Sequence, residues 1–231
     1  MSNVGFGQGS YSVAEAARLS GVTPAALRRW LFGYEYDHHG PRTVQQPLWQ
    51  PEYGVDQVDP LLGFRDLLEA RIVGQLRALG LGLQTIRVCL ETASEIAHDN
   101  HPFSSAGFRT DGQRMFLERV NDGGKRDVID LKTRQHGFAR IIERSFLNLD
   151  FDDHKATRWF LLPNKRTVVA DPSRSFGQPI VSDSGIPTIR LAQAVKAEGS
   201  IEKVARLFEI AISSVRDALA FEQRLSGAVP A

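Results

Sequence analysis

Two adjacent arginines, Arg28 and Arg29, stand in a short segment with strong helix signals, YSVAEAARLSGVTPAALRRWLFG. A guanidinium group offers forked N–H donors that match a phosphate or the acceptor edge of guanine. The alternative is a solvated arginine face on an ordinary helical hairpin, which unrelated proteins also contain. The chemistry predicted for this arginine pair is contact with nucleic acid, provided that the fold holds both side chains outward.

Capping residues predict the two helices that must position the arginine pair. Ser12 can cap a first helix, and Glu15 completes a capping box with it. Gly21 can take the left-handed conformation of a tight turn, and Thr23 can cap a second helix that begins with Pro24. The predicted buried residues are Val13, Ala16, Ala17 and Leu19 on the first helix and Leu27, Trp30 and Leu31 on the second. The residues predicted to point outward are Ala25, Arg28, Arg29 and Phe32.

Further helices and strands are predicted along the rest of the chain. The proline-rich stretch between Gly33 and Pro60 indicates an extended loop or wing, and Asp111-Gly112 indicates a hairpin. Apolar spacing predicts helices over residues 62–78, 84–97 and 137–147, and strands over 149–151, 157–162 and 167–170. Three more helices are predicted to begin near Ile189, Ile201 and Ser213, the last capped by that serine.

These elements predict a mainly helical α+β fold. We expect a winged helix-turn-helix head, a small central β-hairpin region and a trihelical, helix-turn-helix-like unit at the carboxyl end. The expected domain limits are a flexible arm at 1–10, a DNA-binding head at 11–100, an α+β middle segment at 101–172 and the trihelical unit at 173–231.

The composition of the 231 residues excludes several classes of protein. It is 42% hydrophobic and 24% charged, as in ordinary globular domains, and Cys89 is the only cysteine, so an internal disulfide is impossible. No apolar run reaches the roughly 18 residues of a membrane span, and the first ten residues lack the features of an export signal, so we expect a cytoplasmic protein. Because 28 Lys and Arg residues face 27 Asp and Glu residues, a nucleic-acid surface must be local.

No residue pattern predicts a metal, a cofactor or catalysis. Four histidines have no carboxylate or cysteine at ligand spacing and are interpreted as loop residues: His38, His39, His98 and His101. A carboxylate cluster could bind a divalent cation, but a charged turn at a strand end explains it equally well: it consists of Asp150, Asp152 and Asp153. An enzyme would need this cluster to bind a metal, since phosphate-cradling loops and nucleophile motifs are missing from the sequence.

The amino-terminal segment YSVAEAARLSGVTPAALRRWL resembles the DNA-binding head of MerR-type regulators, and the resemblance extends over about residues 11–97. In that family a third helix ends at a glycine and a Leu-x-x-Ile fourth helix packs under the head, which Gly80 or Gly82 and Leu83-Gln-Thr-Ile86 match. The resemblance implies that Thr23 and Arg28 approach the DNA backbone. The predicted DNA-binding residues are Ser12, Thr23, Arg28, Arg29 and, as a minor-groove or backbone contact in the wing, Arg42.

The segment FGQPIVSDSGIPTIRLAQAVKAEGSIEKVARLFEIAISSVRDALAFEQRL resembles the short trihelical domain of VapB-type antitoxins. The matching features are Gly-x-Pro-Ile, then Gly-x-Pro-Thr, Gly-Ser, Val-Ala and a terminal Val-x-x-Ala-Leu-x-Phe. Genes of that family commonly neighbour a toxin with a PIN-like nuclease fold. The resemblance implies a type II antitoxin that binds operator DNA to regulate its own expression and neutralises a PIN-like ribonuclease toxin.

Neutralisation would use an arginine or an apolar side chain that reaches into the acidic, metal-binding pocket of such a nuclease. The candidate toxin-binding residues are Arg158, Trp159, Phe160, Arg174 and Arg190, for which strand packing or an ordinary surface charge is the alternative. A homodimer is expected, because one recognition helix contacts few bases. A different function stays open, a ligand-responsive MerR-like regulator that binds a small molecule in an apolar pocket within residues 101–170.

Overall fold

The computed structural model describes residues 7–36, 43–54, 60–108, 135–152 and 154–227. These residues form a mainly helical α+β structure, which confirms the predicted fold class. Several predictions lie outside the described residues: those for Arg42, His38, His39 and Asp153 and the hairpin at Asp111-Gly112.

The amino-terminal part consists of a helix-turn-helix followed by small β-hairpin pairings. Its elements are β1 (Tyr11–Ser12), α1 (Val13–Ser20), α2 (Pro24–Phe32), β2 (Tyr34–Tyr36), β3 (Thr43–Gln45) and β4 (Leu61–Leu62). Strand β1 pairs antiparallel with β4, and β2 pairs antiparallel with β3. The segment predicted as an extended loop or wing therefore contains a two-stranded hairpin in its described part.

Helix α3 (Phe64–Ala78) forms the centre of the molecule. Every residue from Phe64 to Ala70 is buried, because α1, a later helix and a 3₁₀ turn at Pro102–Ser104 all pack around it. The helix begins two residues later than predicted, since Leu62 pairs with Tyr11 in the β1–β4 ladder. Helix α4 (Leu83–Ala97) and helix α5 (Gln135–Leu147) occur where helices were predicted.

An antiparallel sheet of four strands follows α5. Its strands are, in chain order and in spatial order, β5 (Leu149–Asp152), β6 (Lys155–Leu162), β7 (Lys165–Ala170) and β8 (Pro179–Val181). The first three were predicted, and β8 was not. Strand β8 has only three residues and begins with a proline, which an edge strand tolerates at its first position. It also lies after residue 172, so the sheet continues past the expected limit between the middle segment and the trihelical unit.

The carboxyl-terminal unit consists of three helices, α6 (Thr188–Glu198), α7 (Ile201–Leu207) and α8 (Ile212–Gly227). Ser200 caps α7 by accepting a hydrogen bond from the Lys203 N–H at 3.2 Å, whereas the predicted cap Ser213 is the second residue of α8. The small core of this unit contains Val181, Leu191, Val204, Ala205, Val215 and Ala218.

Helix α8 joins the trihelical unit to the sheet. Phe221 belongs to the main core together with Trp159 of β6 and Val168 of β7. The Arg224 guanidinium donates to the Leu161 carbonyl at 2.7 Å, and the Lys165 ammonium pairs with Asp217 at 2.6 Å. The main core therefore runs from the amino-terminal helices through the sheet to α8. Among the described residues, none of the helices combines the length and the apolar character needed to cross a bilayer.

Candidate nucleic-acid interface

The helix-turn-helix is built by the predicted capping residues. The Ser12 hydroxyl accepts from the Glu15 N–H at 3.3 Å, and the Glu15 carboxylate accepts from the Ser12 N–H at 2.9 Å, which completes the capping box. Gly21 has a φ of 71°, the left-handed conformation that the turn needs. The Thr23 hydroxyl accepts from the Ala26 N–H at 3.2 Å and caps α2. The observed role of Ser12 and Thr23 is thus to fix the two helices, and their contact with DNA stays a prediction.

A buried apolar ridge on α2 fixes which face of the helix is outward. Leu27 and Leu31 are fully buried and Trp30 is 6% exposed, as predicted. Phe32 was predicted to point outward, but it is half-buried against the core. This prediction was wrong because Phe32 is the last residue of α2, where the core extends past the helix end. The ridge leaves α2 one free face, and Arg28 and Arg29 lie on it.

Both guanidinium groups of the arginine pair are held outward. Arg28 and Arg29 are exposed, and among the described residues neither of them forms an ion pair with a carboxylate. The Arg29 guanidinium lies 5.4 Å from the ring centroid of Tyr34, the first residue of β2. This cation–π contact steadies the side chain but leaves its N–H donors available. The condition for nucleic-acid contact is therefore met.

The β2–β3 hairpin is fixed beside α2 by three contacts at its base. Gly33 has a φ of 70°, and a Cβ at this position would collide with the Gln45 carbonyl oxygen. The Leu48 N–H donates to the Trp30 carbonyl at 2.7 Å. From α4, the Arg87 guanidinium donates to the Gln46 carbonyl at 2.7 Å and to a second carbonyl, that of Pro47, at 2.6 Å. The hairpin and α2 thus form one surface. This role of Arg87 could not be predicted from the sequence, because a single arginine on a helix does not indicate which carbonyl groups it will contact.

Replacing Arg87 by alanine is expected to loosen the hairpin without unfolding the head. Loss of two charge-assisted hydrogen bonds should speed amide hydrogen exchange in β2 and β3 roughly tenfold, while exchange in α2 stays unchanged. Hydrogen exchange followed by mass spectrometry measures both regions. The matched control is Arg77→Ala, which removes a similar bond to the Leu81 carbonyl at 2.6 Å in the α3–α4 turn. Equal exchange in both variants would contradict the role assigned to Arg87.

A buried polar cluster of Arg65, Asp66, Glu69 and His101 lies behind this surface. Asp66 is fully buried, and its carboxylate accepts from the Trp49 indole N–H at 2.9 Å and from the Gly63 N–H at 3.0 Å. The His101 Nε2 lies 2.8 Å from the same carboxylate. Burial alone would lower the pKa of His101, but the hydrogen bond to Asp66 and the charges of Asp66 and Glu69 outweigh it and raise that pKa. His101 lies in the bend after α4, as the loop interpretation predicted, and it is also buried and ties this part of the chain to α3.

Arg65 and Glu69 complete the buried polar cluster. The Arg65 guanidinium donates to the Ser104 hydroxyl at 2.9 Å and pairs with Asp99 at 2.8 Å. One oxygen of the Glu69 carboxyl accepts from the Ser104 N–H at 3.1 Å, and the other oxygen is buried and has no hydrogen-bond partner among the residues described. Burial raises the pKa of Glu69 to about 8. Within the described part of the chain, no group of acidic, histidine or cysteine side chains is arranged to hold a metal ion.

The candidate toxin-binding residues of β6 lie in different environments. Arg158 is half-exposed, pairs with Asp171 at 3.1 Å and lines an open polar cleft of about 920 Å³. Trp159 and Phe160 are buried on opposite faces of the sheet, under the guanidinium groups of Arg71 and Arg166 respectively. These two aromatic side chains pack the sheet, which was the alternative stated for them. In this conformation neither can reach into a partner.

Arg174 and Arg190 lie on other elements. Arg174 precedes β8, is half-buried and donates to the Ser182 carbonyl at 2.8 Å. Arg190 is exposed near the start of α6. Of the five candidates, Arg158 and Arg190 are therefore the ones whose charged groups lie most openly at the surface.

Comparison with known proteins adds three findings. Residues 10–90 match a family model described as "Putative DNA-binding HTH domain". Over 220 residues the chain is 28% identical to "Putative antitoxin VapB45" from Mycobacterium tuberculosis (strain ATCC 25618 / H37Rv), and this similarity covers 90% of this chain and 92% of that protein. The crystal structure of Rv2018 from Mycobacterium tuberculosis shares the fold with a TM-score of 0.66, at 24% identity, over 90% of this chain and 96% of that chain.

Proposed function

We propose that this chain is a DNA-binding antitoxin of the VapB type, which represses its own operon and neutralises a PIN-like ribonuclease toxin. The observation that carries the proposal is the arginine pair, held outward on a capped helix by a buried ridge. This surface lies within the residues that match a DNA-binding helix-turn-helix model. Similarity to an antitoxin along nearly the whole of both chains supports the second activity. The proposed protein acts by binding and is not an enzyme.

On DNA, α2 would enter the major groove as the recognition helix of a MerR-like head. Arg28 and Arg29 would contact phosphate or guanine, because both are exposed cations, without an ion pair to any carboxylate of the described residues, on the one face that the ridge leaves free. The hairpin, fixed to α2 and α4 by Arg87, would lie along the neighbouring backbone, where Arg42 would reach the minor groove or a phosphate. Two heads in a homodimer would supply the affinity that one short helix cannot.

On the toxin side, Arg158 and Arg190 are the preferred contacts. Both are cations at the surface, as an acidic nuclease pocket requires, whereas the burial of Trp159 and Phe160 removes these two from the proposal. Arg174 would first have to release the Ser182 carbonyl. Because α8 packs on the sheet through the main core, the sheet and the trihelical unit present one continuous surface to the toxin.

Co-expression with the product of the adjacent gene tests the proposal. We expect the two proteins to purify together, and Arg190→Glu to weaken the complex at least about tenfold, since reversing a charge at an interface removes an attraction and adds a repulsion. Biolayer interferometry measures the dissociation constant. The matched control is Arg140→Glu, at an exposed arginine on α5, outside the sheet and the trihelical unit. Failure of the wild-type proteins to purify together would contradict the toxin-binding activity, and an unaffected Arg190 variant would remove only this residue from the interface.

A further inference from the structure

Phe176 is held in solvent by a strained turn. Its side chain is 69% exposed, which is unusual for a phenylalanine. Ser175, Phe176 and Gly177 have φ values of 48°, 54° and 84°, three successive residues in the left-handed region. For the serine and the phenylalanine this conformation costs free energy that other contacts must offset.

The contacts that hold the turn come from the amino-terminal segment. The Ser10 N–H donates to the Phe176 carbonyl at 2.9 Å, and the buried Tyr11 hydroxyl donates to the Gly177 carbonyl at 2.8 Å. The Gly177 N–H closes the turn by donating to the Arg174 carbonyl at 2.9 Å. The turn is thus fixed on both sides, and the Phe176 ring belongs to none of the hydrophobic clusters that the described residues form. Strain of this kind, with an exposed aromatic side chain, indicates a contact outside the chain.

A small apolar slot lies beside this turn. It is a cavity of about 80 Å³ between α1, β8, α6 and α8. The residues that give it apolar walls are Leu19, Pro179, Ile189 and Leu225, and the charged residues that line it are Glu15, Arg18 and Glu222. Ile189 is 49% exposed, so this wall also faces solvent. On the measure by which one water molecule needs roughly 10–15 Å³, the slot has room for more than a single water, and its mainly apolar walls suit a hydrocarbon side chain.

We propose that Phe176 of one copy of the chain inserts into the slot of a second copy, and reciprocally, in a symmetric homodimer. Phe176 precedes the slot residue Pro179 by three positions, so the Cα atoms of these two residues lie within about 10 Å of each other. A two-fold interface requires the same patch on both copies, and a projecting ring beside its own socket satisfies this requirement. The proposal rests on the homodimer of the proposed function and assigns its interface, and its test needs neither DNA nor toxin. Because α1 forms one wall of the slot, the interface would also set the distance between the two heads.

Analytical ultracentrifugation of the full chain tests the interface. We expect the wild-type protein to be a dimer, and Phe176→Asp to raise the dimer dissociation constant at least about tenfold. Aspartate tolerates left-handed backbone better than phenylalanine, so the thermal unfolding temperature should not fall. The matched control is Leu207→Asp at another apolar side chain, 64% exposed, which should leave the dimer intact.

A mixing experiment separates insertion from a general loss of association. Ile189→Trp should block the slot while leaving Phe176 in place, so this variant alone should also be monomeric. Mixed with Phe176→Asp, it should form a heterodimer through the one remaining ring and the one remaining slot. Three results would overturn the proposal: a monomeric wild-type protein, a Phe176→Asp variant that dimerises as well as the wild type, or no heterodimer in the mixture. A variant that dimerises normally but no longer captures the toxin would assign Phe176 to the toxin interface instead.

Discussion

The double replacement Arg28→Ala and Arg29→Ala is expected to weaken binding to the operator at least about 30-fold, because each guanidinium contact to a base edge or phosphate contributes roughly 1–3 kcal/mol. Both side chains lie outside the Leu27–Trp30–Leu31 ridge, so the thermal unfolding temperature should not change. If both arginines contact phosphates, the slope of log affinity against log salt concentration should fall by about two units. Fluorescence anisotropy with a labelled operator duplex at several salt concentrations measures both quantities.

A matched pair of arginines makes this result specific to α2. Arg206 and Arg216 are exposed on α7 and α8, and removing them takes the same charge from the chain. The Arg206→Ala, Arg216→Ala variant should bind the operator with nearly wild-type affinity. Equal losses in the two double variants would mean that net charge, and not the recognition helix, governs binding. Unchanged binding in the Arg28, Arg29 variant would contradict the assignment of α2.

The helix-turn-helix could be predicted from the sequence because its signals are local. Ser12, Gly21 and Thr23 each determine a helix end within three or four residues of themselves, and the structure contains all three features. The helices of the trihelical unit could be predicted for the same reason, since their signals also lie within a few residues of the helix ends. Prediction failed at the start of α3, which the pairing of Leu62 with Tyr11 delays, and at the start of α8, where the predicted cap Ser213 lies inside the helix.

The sheet could be predicted only in part, because its pairing is not local. Strand β8 joins β7 across the loop that contains the Ser175–Gly177 turn, and three residues beginning with proline carry no strand pattern of their own. The burial of Trp159 and Phe160 was considered only as the alternative to toxin contact. Neighbouring residues of a strand point to opposite faces of the sheet, and here both faces are covered. The alternation of buried and exposed side chains, which would have marked one of the two as exposed, is therefore missing.

The buried polar cluster could not be predicted from the sequence, although three of its charged residues are close together in the segment of α3. Arg65, Asp66 and Glu69 fall within the first two turns of α3, where the apolar residues predicted one buried face. In the structure that stretch is buried on all sides, so the charged residues are enclosed along with the apolar ones. Their partners His101 and Ser104 stand more than 30 residues later, at a distance along the chain that no spacing rule connects.

This cluster makes the stability of the protein depend on pH. In the unfolded chain the Glu69 carboxyl loses its proton near its ordinary pKa of 4.5, whereas in the folded chain burial raises the pKa to about 8. The charges of His101 and Arg65 and the Ser104 N–H oppose this shift, and the charge of Asp99 adds to it. Between these two pH values the folded state binds more protons than the unfolded state. The free energy of unfolding must therefore fall as pH rises from about 4.5 to about 8, and level off above.

Glu52 and His101 also make the folded protein less stable as pH rises. Burial raises the pKa of Glu52, so its contribution to stability also decreases as pH rises through that pKa. The raised pKa of His101 means that the favourable charge pairing with Asp66 is lost as this histidine loses its proton at higher pH. The pKa values of Glu69, Glu52 and His101 are all raised, so each group contributes less to stability as pH rises. The wild-type protein should therefore be distinctly more stable at pH 5 than at pH 8.5.

Replacing Glu69 by glutamine is expected to remove the largest part of this dependence. Glutamine is isosteric with the protonated acid and keeps an acceptor for the Ser104 N–H, but it cannot ionise. The free energy of unfolding at pH 8.5 should then lie a few kcal/mol closer to its value at pH 5, with roughly 5 kcal/mol as the ceiling set by the pKa difference. Urea unfolding followed by tryptophan fluorescence at a series of pH values measures it. The change with pH is the readout, since any packing cost of glutamine is the same at every pH.

The control for this experiment is Glu91→Gln, at an exposed carboxylate on α4. This variant should reproduce the wild-type decrease in stability between pH 5 and pH 8.5, because Glu91 lies outside the buried polar cluster that causes the decrease. A Glu69→Gln variant with the wild-type dependence would show that Glu69 ionises in the folded chain as it does in water. In that case Arg65 and His101 would neutralise a buried carboxylate, and the unpartnered oxygen of Glu69 would have to be satisfied in solution.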